Sequence, residues 1–441
     1  MKTIVIVGGG TAGLQLATRL GRRLGKRGLA DIVLVDRHAA HLWKPLLHEV
    51  AAGRLEPFHH QTAFALQARR HGFRFVQGEF ASLDRRARTL SILPGQGAAA
   101  DPALPPSLPP SLPVSLSYDT LVLAIGGTTQ YFGVPGAREH ALSLDSVAGA
   151  RQVREQVVAA LHRVSSRAAT PGSPAKASVA IVGAGATGVQ LAAQLRRMSR
   201  VLGQYDIHAL DPERGTEILL VEASGTILPG MDQRLAEQTR RELDAQGIRT
   251  LLNTRVTRVT PDGLHVADGM PLRADVTVWA AGVTAPPLLA GLGLPVSRNG
   301  RIRVRPTLQS LDDDHVYAIG DCASFHPAPG QAELPTRAQV AHQQAVYLSA
   351  ALSRGLQGKA VAGFRFHDRG SVISLADNLA LCHLVTPGAG DGWHVRGKAA
   401  AVLHQAVYRR HVLAIQGFAR TCALTLSQGL ERLLGAGYRL D

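Results

Sequence analysis

Two stretches of the chain repeat the same order of hydrophobic and polar positions. Each begins with a short apolar run, TIVIV in residues 3–7 and SVAIV in residues 178–182, which is typical of a buried β-strand. A glycine-rich turn follows, and then an apolar pattern with the spacing of an α-helix. A second apolar strand closes each unit at an acidic residue, Asp36 or Glu222. The pattern predicts two strand–turn–helix–strand units of an α/β protein.

The glycines of each turn have the spacing of a dinucleotide-binding motif. They are Gly8, Gly10 and Gly13 in the first unit, and Gly183, Gly185 and Gly188 in the second. The first glycine permits a tight turn, the second lets backbone amides approach a pyrophosphate, and the third lets helix and strand pack closely. An acid such as Asp36 or Glu222 accepts hydrogen bonds from ribose hydroxyls, and at Glu222 it favours NADH over NADPH. Two such units predict two cofactors, a bound flavin and a passing nicotinamide.

Three further strands are predicted to end in small residues beside a cofactor. They are YDTLVLAIGG (118–127), which contains Gly126, DVTVWAAGV (275–283), which contains Gly282, and HVYAIGDCAS (315–324). Small residues at a strand end let the backbone lie close to a bound molecule. Asp321, at the end of the third strand, is a candidate to hold the ribityl chain of FAD. A strand-terminal Asp also commonly forms a turn or caps a helix, and that alternative stays open.

Length and charge narrow the class of protein. A chain of 441 residues predicts more than one domain, and a net charge of +15 suits an anionic membrane surface, nucleic acid or an anionic substrate. The basic residues form no long block and aromatic residues make up only 5 %, which argues against nucleic-acid binding. The three cysteines, Cys322, Cys382 and Cys422, are far apart, which argues against a disulfide framework, a dithiol centre and a zinc site. We therefore expect an intracellular protein without a metal.

Seven motifs, in chain order, match one known family. They are GGGTAG (8–13), HLWKPLLHEVAAG (41–53), GATGVQLAAQL (185–195), LVEASGTILPGMD (220–232), VWAAGVTAP (278–286), VYAIGDCA (316–323) and RAQVAHQQA (337–345). With them the chain resembles the type II NADH dehydrogenases, the single-subunit, non-pumping NADH:quinone oxidoreductases of the two-dinucleotide-binding flavoprotein superfamily. The glycine motifs and GDCA are shared across the superfamily, whereas HLWKPLLHEVAAG and RAQVAHQQA are much more specific.

The resemblance implies an α/β fold with two Rossmann-like dinucleotide-binding domains and a C-terminal amphipathic helical region that anchors to a membrane. FAD would be bound by residues 1–145 and 286–385, and NADH by residues 146–285. Residues 386–441 would attach the protein peripherally to an anionic membrane surface, at the cytoplasmic face of the cell membrane. The implied reaction is hydride transfer from NADH to FAD, then transfer of two electrons to a membrane quinone without proton pumping.

The resemblance also implies individual contacts. FAD would be contacted by Gly8, Gly10, Ala12, Gly13, Asp36, Lys44, Ala81, Gly126, Asp321, Ala338 and Gln339, and NADH by Gly183, Gly185, Gly188, Glu222 and Gly282. Gln339 and Gln343 stand on one face of a predicted helix and would offer amide donors to the quinone. Lys44 would favour negative charge on the flavin, or would be an ordinary surface lysine. Gln190 occupies a position where the family commonly has Glu, and an amide cannot titrate there as an acid or base.

The C-terminal region carries an apolar stripe at steps of three and four residues. Its members are Ile415, Phe418, Cys422, Leu426, Leu430 and Leu433. Arginines lie among them and the uncharged runs are too short to span a bilayer, so the pattern favours a helix lying in a membrane interface. Docking on its own protein or on a partner in a homodimer is the alternative. The Pro/Ser/Leu-rich segment at 94–117 is predicted to lengthen a hairpin loop.

Other functions stay open on the sequence. A related flavoprotein reductase would pass electrons to oxygen or to a protein acceptor, and an NADH-sensing flavoprotein would signal by binding a partner. Sulfide:quinone oxidoreductases have a similar layout but need redox cysteines, and the cysteine spacing here argues against that activity.

Overall fold

The computed structural model describes residues 1–94, 114–168, 176–204, 216–328, 330–376, 378–385 and 392–433. Most of the predicted loop extension at 94–117 lies outside the described residues. The helices are α1 (Thr11–Arg23), α2 (Leu47–Ala51), α3 (Pro57–His60), α4 (Phe64–His71), α5 (Ala137–His140), α6 (Val147–Ala168), α7 (Ala186–Gln204), α8 (Gln233–Ala245), α9 (Ala338–Gly355), α10 (Lys398–Gln416) and α11 (Phe418–Leu433). Short 3-10 helices span Gly25–Arg27, Lys44–Leu46, Pro287–Leu292 and Gly320–Cys322.

The strands pair into two five-stranded sheets and several smaller ones. They are β1 (Lys2–Val7), β2 (Ala30–Asp36), β3 (Ala40–His41), β4 (Thr62–Ala63), β5 (Arg74–Gln77), β6 (Glu79–Asp84), β7 (Thr89–Leu93), β8 (Val114–Ser117), β9 (Thr120–Leu123), β10 (Thr128–Thr129), β11 (Leu142–Ser143), β12 (Ala177–Val182), β13 (Thr216–Val221), β14 (Ile248–Leu251), β15 (Val256–Thr260), β16 (Gly263–Val266), β17 (Leu272–Arg273), β18 (Val276–Trp279), β19 (Val283–Thr284), β20 (Ile302–Arg303), β21 (Val316–Ala318), β22 (Ala323–Ser324), β23 (Gly370–Ser374), β24 (Ala380–Leu384) and β25 (Trp393–Arg396).

The first five-stranded sheet is parallel and has the order β21-β9-β1-β2-β5. Its central strand is buried on both faces, which explains the unbroken apolar run at the start of the chain. Helices α1 and α9 cover one face and share a core with it. The small antiparallel sheet β6–β7–β8 covers the other face. The order places the carboxyl ends of β1, β2, β9 and β21 along one edge, where parallel sheets bind ligands.

The second five-stranded sheet is also parallel and has the order β11-β18-β12-β13-β14. Helices α6 and α7 lie on one face, and the hairpin sheet β15–β16–β17 lies on the other. The segment after Asp36 also packs here, because Trp43, Leu47 and Val50 belong to the core of α6 and α7. The segment that follows the first sheet therefore packs in the core of the second unit.

The C-terminal region begins with the antiparallel sheet β23–β24–β25, on which α10 packs. The single apolar stripe predicted for this region is wrong, because Gly417 separates α10 from α11 with a φ of +83°. Ile415 is only 2 % exposed and packs in the core of the first sheet, whereas Phe418 and Leu426 are 76 % and 75 % exposed. The side chains of Leu430 and Leu433 lie outside the described residues.

No helix in the described ranges combines the length and the apolar character that crossing a bilayer requires.

Candidate functional site

The first glycine turn joins the end of β1 to α1. Gly8 has a φ of +102°, a conformation that residues with a side chain rarely adopt. A Cβ atom at Gly13 would lie 1.8 Å from the carbonyl oxygen of Gly8, so helix and turn touch through their backbones. The Asp36 carboxylate, at the end of β2, accepts hydrogen bonds from the N–H groups of Gly9 (2.6 Å) and His38 (2.8 Å). These two hydrogen bonds fix the acid to the turn. The contact of Asp36 with a ribose stays a prediction.

Small residues keep the approach to this turn open. A Cβ atom at Gly10 or at Gly126 would meet no atom within 4 Å. At Gly320 it would touch the Cβ atoms of Ala12 and Ala341, at 3.7 and 3.8 Å. The N-terminal ends of α1 and α9 therefore meet at the turn that follows β21.

Asp321 lies in that turn, close to two cations. Burial raises the pKa of the Asp321 carboxyl above its ordinary value, although the positive charges of Lys44 and Arg301 act to lower it. The Lys44 ammonium donates a hydrogen bond to the carbonyl oxygen of Gly127, at 3.3 Å. Lys44, Gly126 and Asp321 are thus brought together, although they are distant in the sequence. A ligand hydroxyl at this place would give the Asp321 carboxylate a hydrogen-bond donor.

Two of the predicted FAD contacts are backbone positions. Ala81 lies at a β-bulge, where the pairing of β6 with β7 shifts between Phe80 and Ser82. A bulged residue lacks a regular place in the ladder, so its backbone is left for other partners. Ala338 is the first residue of α9, and no side chain caps that helix end at Arg337. The N–H groups of Val340 and Ala341 donate to the Arg337 carbonyl, so those of Ala338 and Gln339 are the ones open to an electron-rich ligand.

The side-chain amides of Gln339 and Gln343, which are predicted to bind the quinone, form hydrogen bonds with residues 367–370. The Gln339 amide nitrogen donates to the Asp368 carboxylate (2.8 Å) and to the Gly370 carbonyl (3.2 Å). The Gln343 amide nitrogen donates to the His367 carbonyl (2.8 Å) and the amide oxygen accepts from the His367 N–H (3.0 Å). Both hydrogens of the Gln339 amide are therefore used, whereas Gln343 keeps one hydrogen for another acceptor.

The third glutamine of the same motif has a role that the sequence did not predict. The Gln344 amide oxygen accepts a hydrogen bond from the Gly320 N–H, at 2.7 Å, and its side chain is buried. Gln344 is five residues after Gln339, so it faces the core and not the surface that the other two share. It fixes the turn that carries Asp321 to α9.

The second glycine turn has the geometry of the first. Gly183 also has a φ of +102°, and a Cβ atom at Gly188 would lie 2.0 Å from the Gly183 carbonyl oxygen. A Cβ atom at Gly185 would meet no atom within 4 Å. The Glu222 carboxylate accepts hydrogen bonds from the Ala184 N–H (2.8 Å) and the Ser224 N–H (2.9 Å). The acid and the turn again form one unit.

Two other predicted residues lie near this unit. Gly282 follows β18, and a Cβ atom there would come within 3.0 Å of the Phe132 ring. Its carbonyl oxygen accepts a hydrogen bond from the Gln130 N–H, at 3.0 Å. Gln190 lies on α7 and is 8 % exposed. A carboxylate at that position would be poorly solvated, whereas the amide is neutral at every pH.

The two turns fit the pyrophosphates of dinucleotides. In each, the open space beside Gly10 or Gly185 lies next to a helix N-terminus, where backbone N–H groups lack intrahelical partners. Each carboxylate oxygen that already accepts one backbone hydrogen bond has a second lone pair for a ribose hydroxyl. The residues present therefore fit a dinucleotide at both turns.

A separate pocket of about 160 Å³ lies where the segment after Asp36 meets α10 and α11. The Nε2 atoms of His41 and His411 are 3.1 Å apart in its wall. The Trp43 ring stacks on His411 with their centroids 5.2 Å apart, and the centroid of the Tyr408 ring is 5.6 Å from that of Trp43. Burial lowers the pKa of His41 to about 4 and that of His411 well below its ordinary value, so both imidazoles are neutral at pH 7.

Four buried polar atoms of this pocket have no hydrogen-bond partner within the described ranges. They are Trp43 Nε1, His411 Nδ1, Gln416 Oε1 and Arg420 Nη1. Buried polar groups are usually paired, so their concentration in one pocket indicates a ligand with hydrogen-bonding oxygens or an ordered water. The sequence did not predict this pocket, although His41 and Trp43 lie in HLWKPLLHEVAAG, one of the two motifs most specific to the resembled family.

Comparison with known proteins places the chain in a family. Residues 2–345 match the family model described as pyridine nucleotide-disulphide oxidoreductase. The type II NADH:quinone oxidoreductase of Haemophilus influenzae is 33 % identical, covering 98 % of both chains. The protein of the same name from Staphylococcus aureus strain NCTC 8325 is 28 % identical, covering 94 % of this chain and 96 % of its own.

Solved structures share the fold. NDH2 from Plasmodium falciparum in complex with NADH superposes with a TM-score of 0.81 at 17 % identity, covering 100 % of this chain and 99 % of its own. The sulfide:quinone oxidoreductase of Aquifex aeolicus superposes with a TM-score of 0.73 at 16 % identity, covering 94 % and 92 %. With the identity to the Haemophilus protein over nearly the whole chain, the chain belongs to the type II NADH:quinone oxidoreductase family, within the pyridine nucleotide-disulphide oxidoreductases.

Proposed function

We propose that this chain is a FAD-dependent NADH:quinone oxidoreductase, which oxidises NADH to NAD⁺ and reduces a quinone to a quinol. The observation that carries the proposal is the combination of two complete dinucleotide turns with a pocket of unpartnered polar atoms. The flavin, when bound, supplies a two-electron carrier between the nicotinamide and the quinone.

The first turn is proposed to hold FAD. The backbone N–H groups at the start of α1 would bind the pyrophosphate, and Asp36 would bind the adenosine ribose. Lys44, Gly126, Asp321 and the N-terminus of α9 lie at the other end of the same sheet edge, where they would bind the ribityl chain and the ring system. The positive end of α9 would favour electron density on that ring.

The second turn is proposed to hold NADH for one turnover. Glu222 would accept hydrogen bonds from the adenosine ribose hydroxyls. A 2′-phosphate would bring a second negative charge beside this carboxylate and would be repelled, so NADPH should bind weakly. Gly282 would let the nicotinamide lie close to the backbone.

The pocket beside His411 is proposed to receive the quinone ring. Trp43 Nε1–H and Arg420 Nη1–H are donors that suit quinone carbonyl oxygens. When His41 Nε2–H donates to His411 Nε2, the proton of His411 is on Nδ1, the atom that has no partner among the described residues. That Nδ1–H can donate a hydrogen bond to a quinone oxygen. Because both imidazoles are neutral at pH 7, the pair would orient the quinone and would not be the source of the protons that quinol formation takes up.

Exposed apolar side chains lie on the elements that form this pocket: Phe58 lines it, and Phe418 and Leu426 belong to α11. Phe58, Phe418 and Leu426 are each more than 70 % exposed, and the exposed Arg409 and Arg410 lie on the adjoining helix. Apolar side chains beside cations suit a peripheral position on an anionic membrane, from which a lipid-soluble quinone would enter. We propose the cytoplasmic face of the cell membrane as that surface.

The cysteines do not support the dithiol chemistry that the name pyridine nucleotide-disulphide oxidoreductase suggests. Burial raises the pKa of Cys322 to about 12, and its thiol donates hydrogen bonds to the carbonyls of Leu123 and Ile319. Cys382 is buried and Cys422 is exposed, and none of the three is paired. A thiolate is the nucleophile in dithiol reactions, so Cys322 is unsuited to that role.

The proposal is tested by finding which electron acceptor reoxidises the reduced flavin. Enzyme reduced with one equivalent of NADH is mixed anaerobically with a short-chain quinone, and flavin reoxidation is followed by absorbance. We expect reoxidation as fast as steady-state turnover with quinone and much slower reoxidation with oxygen in place of quinone. Reoxidation that is fast with oxygen and slow with every quinone would instead indicate an oxidase.

Two variants locate the quinone. Trp43→Phe keeps the stacked ring but removes the Nε1–H donor, and we expect kcat/KM for quinone to fall about fivefold, since one hydrogen bond is worth about 1 kcal/mol. Gln343→Leu removes the remaining amide hydrogen near α9. A loss in Gln343→Leu with no change in Trp43→Phe would place the quinone at α9 and contradict the pocket assignment.

A further inference from the structure

A cluster of metal-binding side chains lies far along the chain from both glycine turns. His383 in β24 and His394 in β25 face each other directly across an antiparallel pair. Their rings stack at 16° with the centroids 4.7 Å apart. Both side chains are half-buried. Opposite residues of two antiparallel strands point to the same face, so the two imidazoles lie on one side of the sheet.

The third member of the cluster comes from the NADH-binding part of the chain. Asp232 is the N-cap residue of α8, and its Oδ1 accepts a hydrogen bond from the Leu235 N–H, at 2.8 Å. The same oxygen is 2.7 Å from Nε2 of His394. One ligand atom from each of Asp232, His383 and His394 lies within 4.8 Å of the others. Three elements thus present two imidazole nitrogens and one carboxylate oxygen to one point.

The frame that holds these ligands is fixed by other contacts. Arg396 of β25 forms an ion pair with Glu242 of α8, and α8 packs against β24. The helix and the two strands are therefore aligned without any metal. Preorganised ligands of this kind lose little freedom when an ion binds.

The cluster also has room for further ligands. A solvent-open cavity of about 430 Å³ adjoins it, lined by Asp232 and His394 and by residues of the first turns of α8. Glu237 lines this cavity and accepts a hydrogen bond from the Gln233 amide, at 2.9 Å. Water molecules can therefore complete a four- to six-coordinate ion. Two imidazoles and a carboxylate suit Zn²⁺ and other divalent first-row metals, and do not suit Mg²⁺ or Ca²⁺, which prefer oxygen ligands.

We infer that Asp232, His383 and His394 bind a divalent transition-metal ion, which joins α8 of the NADH-binding part to the C-terminal sheet. The ion has no place in electron transfer, and it stabilises the contact between these two parts. The inference does not depend on the proposed function. It also differs from the expectation of a metal-free protein, which rested on the spacing of the cysteines.

The test is zinc binding to the flavin-loaded, full-length protein after chelator treatment. Isothermal titration with Zn²⁺ gives affinity and stoichiometry, and zinc-edge X-ray absorption counts imidazole ligands. We expect a site with two imidazoles, and a rise in melting temperature on zinc addition. We expect His383→Ala and His394→Ala to weaken that site at least about a hundredfold, since each removes one of three protein ligands.

Two further variants keep the result interpretable. Asp232→Asn removes the carboxylate but keeps an effective helix cap, so folding is preserved while zinc affinity should fall at least about tenfold. His265→Ala removes an exposed histidine elsewhere and should bind zinc as the unaltered protein does. Zinc affinity and melting temperature that are the same in unaltered protein, His394→Ala and Asp232→Asn would overturn the inference.

Discussion

The two dinucleotide turns have nearly the same backbone but different surroundings. Gly8 and Gly183 share a φ of +102°. In the first turn the Asp36 carboxylate accepts a hydrogen bond from the Gly9 N–H, and in the second the Glu222 carboxylate accepts one from the Ala184 N–H. A Cβ atom at Gly9 would lie 2.3 Å from the Phe64 ring. Ala184 carries that atom, and its carbonyl accepts a hydrogen bond from the Leu228 N–H. The first turn is therefore covered by an aromatic ring where the second is covered by backbone.

More of the chain encloses the first turn. Gln344 ties α9 to the turn at Gly320, and the segment with Lys44 closes over the same edge. Because the glycine spacing is the same in both turns, it specifies a dinucleotide but not which one, and the difference between the turns lies in their cover. A covered turn suits a permanent flavin and a less covered turn suits an exchanging NADH.

The largest effect should come from adding a methyl group to each third glycine. In Gly13→Ala the Cβ atom would collide with the Gly8 carbonyl, and we expect at least about a tenfold weaker hold on flavin, because backbone cannot move away cheaply. Gly188→Ala has the equivalent collision and should keep its flavin while weakening NADH binding. The flavin-to-protein absorbance ratio and the NADH dependence of flavin reduction measure the two effects.

A control separates folding from binding in that experiment. Gly185→Ala adds a methyl group that meets no protein atom, so stability should not change while NADH binding weakens. Loss of flavin from Gly188→Ala with retention in Gly13→Ala would reverse the assignment of the two turns.

Acid should weaken the segment that joins the two units. Burial lowers the pKa of His48 to about 4. The Glu49 carboxylate acts to raise this pKa, and His404 and Arg54 act to lower it further. The unfolded chain then binds a proton that the folded chain does not between about pH 6.5 and 4, so stability falls as pH falls through this range, by up to roughly 3 kcal/mol. Above pH 6.5 His48 contributes no dependence.

Melting temperatures from pH 7 to 4 measure this effect. His48→Gln should have a shallower decline with falling pH than the unaltered protein. His265→Gln, which changes an exposed histidine, should follow the unaltered protein. An identical decline in all three proteins would show that His48 is not a source of acid sensitivity.

A smaller effect should follow from releasing the turn that holds Asp321. Gln344→Leu leaves the Gly320 N–H without its acceptor, which costs about 1–3 kcal/mol. We expect a lower melting temperature and faster flavin release, measured by fluorescence recovery on dilution. Gln357→Leu, at an exposed position just after the same helix, is the matched control. Equal flavin release from both variants would remove Gln344 from the cover of the first turn.

The smallest effect should fall on the second turn alone. Glu222→Gln keeps the size and shape of the side chain but removes the charge and replaces one acceptor oxygen by an NH2 group, so KM for NADH should rise about tenfold and the preference over NADPH should shrink. The rate at saturating NADH and the flavin content should stay near their original values. Steady-state kinetics with both nucleotides provide the measurement, and a loss of flavin here would contradict an independent second turn.

Local patterns explain why both turns could be predicted. The spacing of Gly8 and Gly13 and the strand that ends at Asp36 lie within one short segment, so their geometry follows from neighbouring residues. The helix at RAQVAHQQA was also predicted, but its contacts were not. Gln344, and not Gln339, binds the turn at Gly320 because of the way α9 packs. The residues that α9 packs against lie outside the motif, so the motif could not predict this contact.

Contacts between distant segments could not be predicted. His41 and His411 are 370 positions apart, and only the packing of α10 on the segment after Asp36 brings them together. His383 and His394 meet because of the register of an antiparallel strand pair, and Asp232 joins them from the N-cap of α8. The apolar stripe was misjudged because a glycine at 417 ends α10 inside it.

The most direct test of the comparison is anaerobic stopped-flow absorbance after extensive gel filtration. We predict that FAD remains bound in a one-to-one ratio, that no nicotinamide remains, and that NADH bleaches the flavin much faster than NADPH does. Protein that loses its flavin on the column, or that is bleached equally by both nucleotides, would contradict a covered first turn and an NADH-selective second turn.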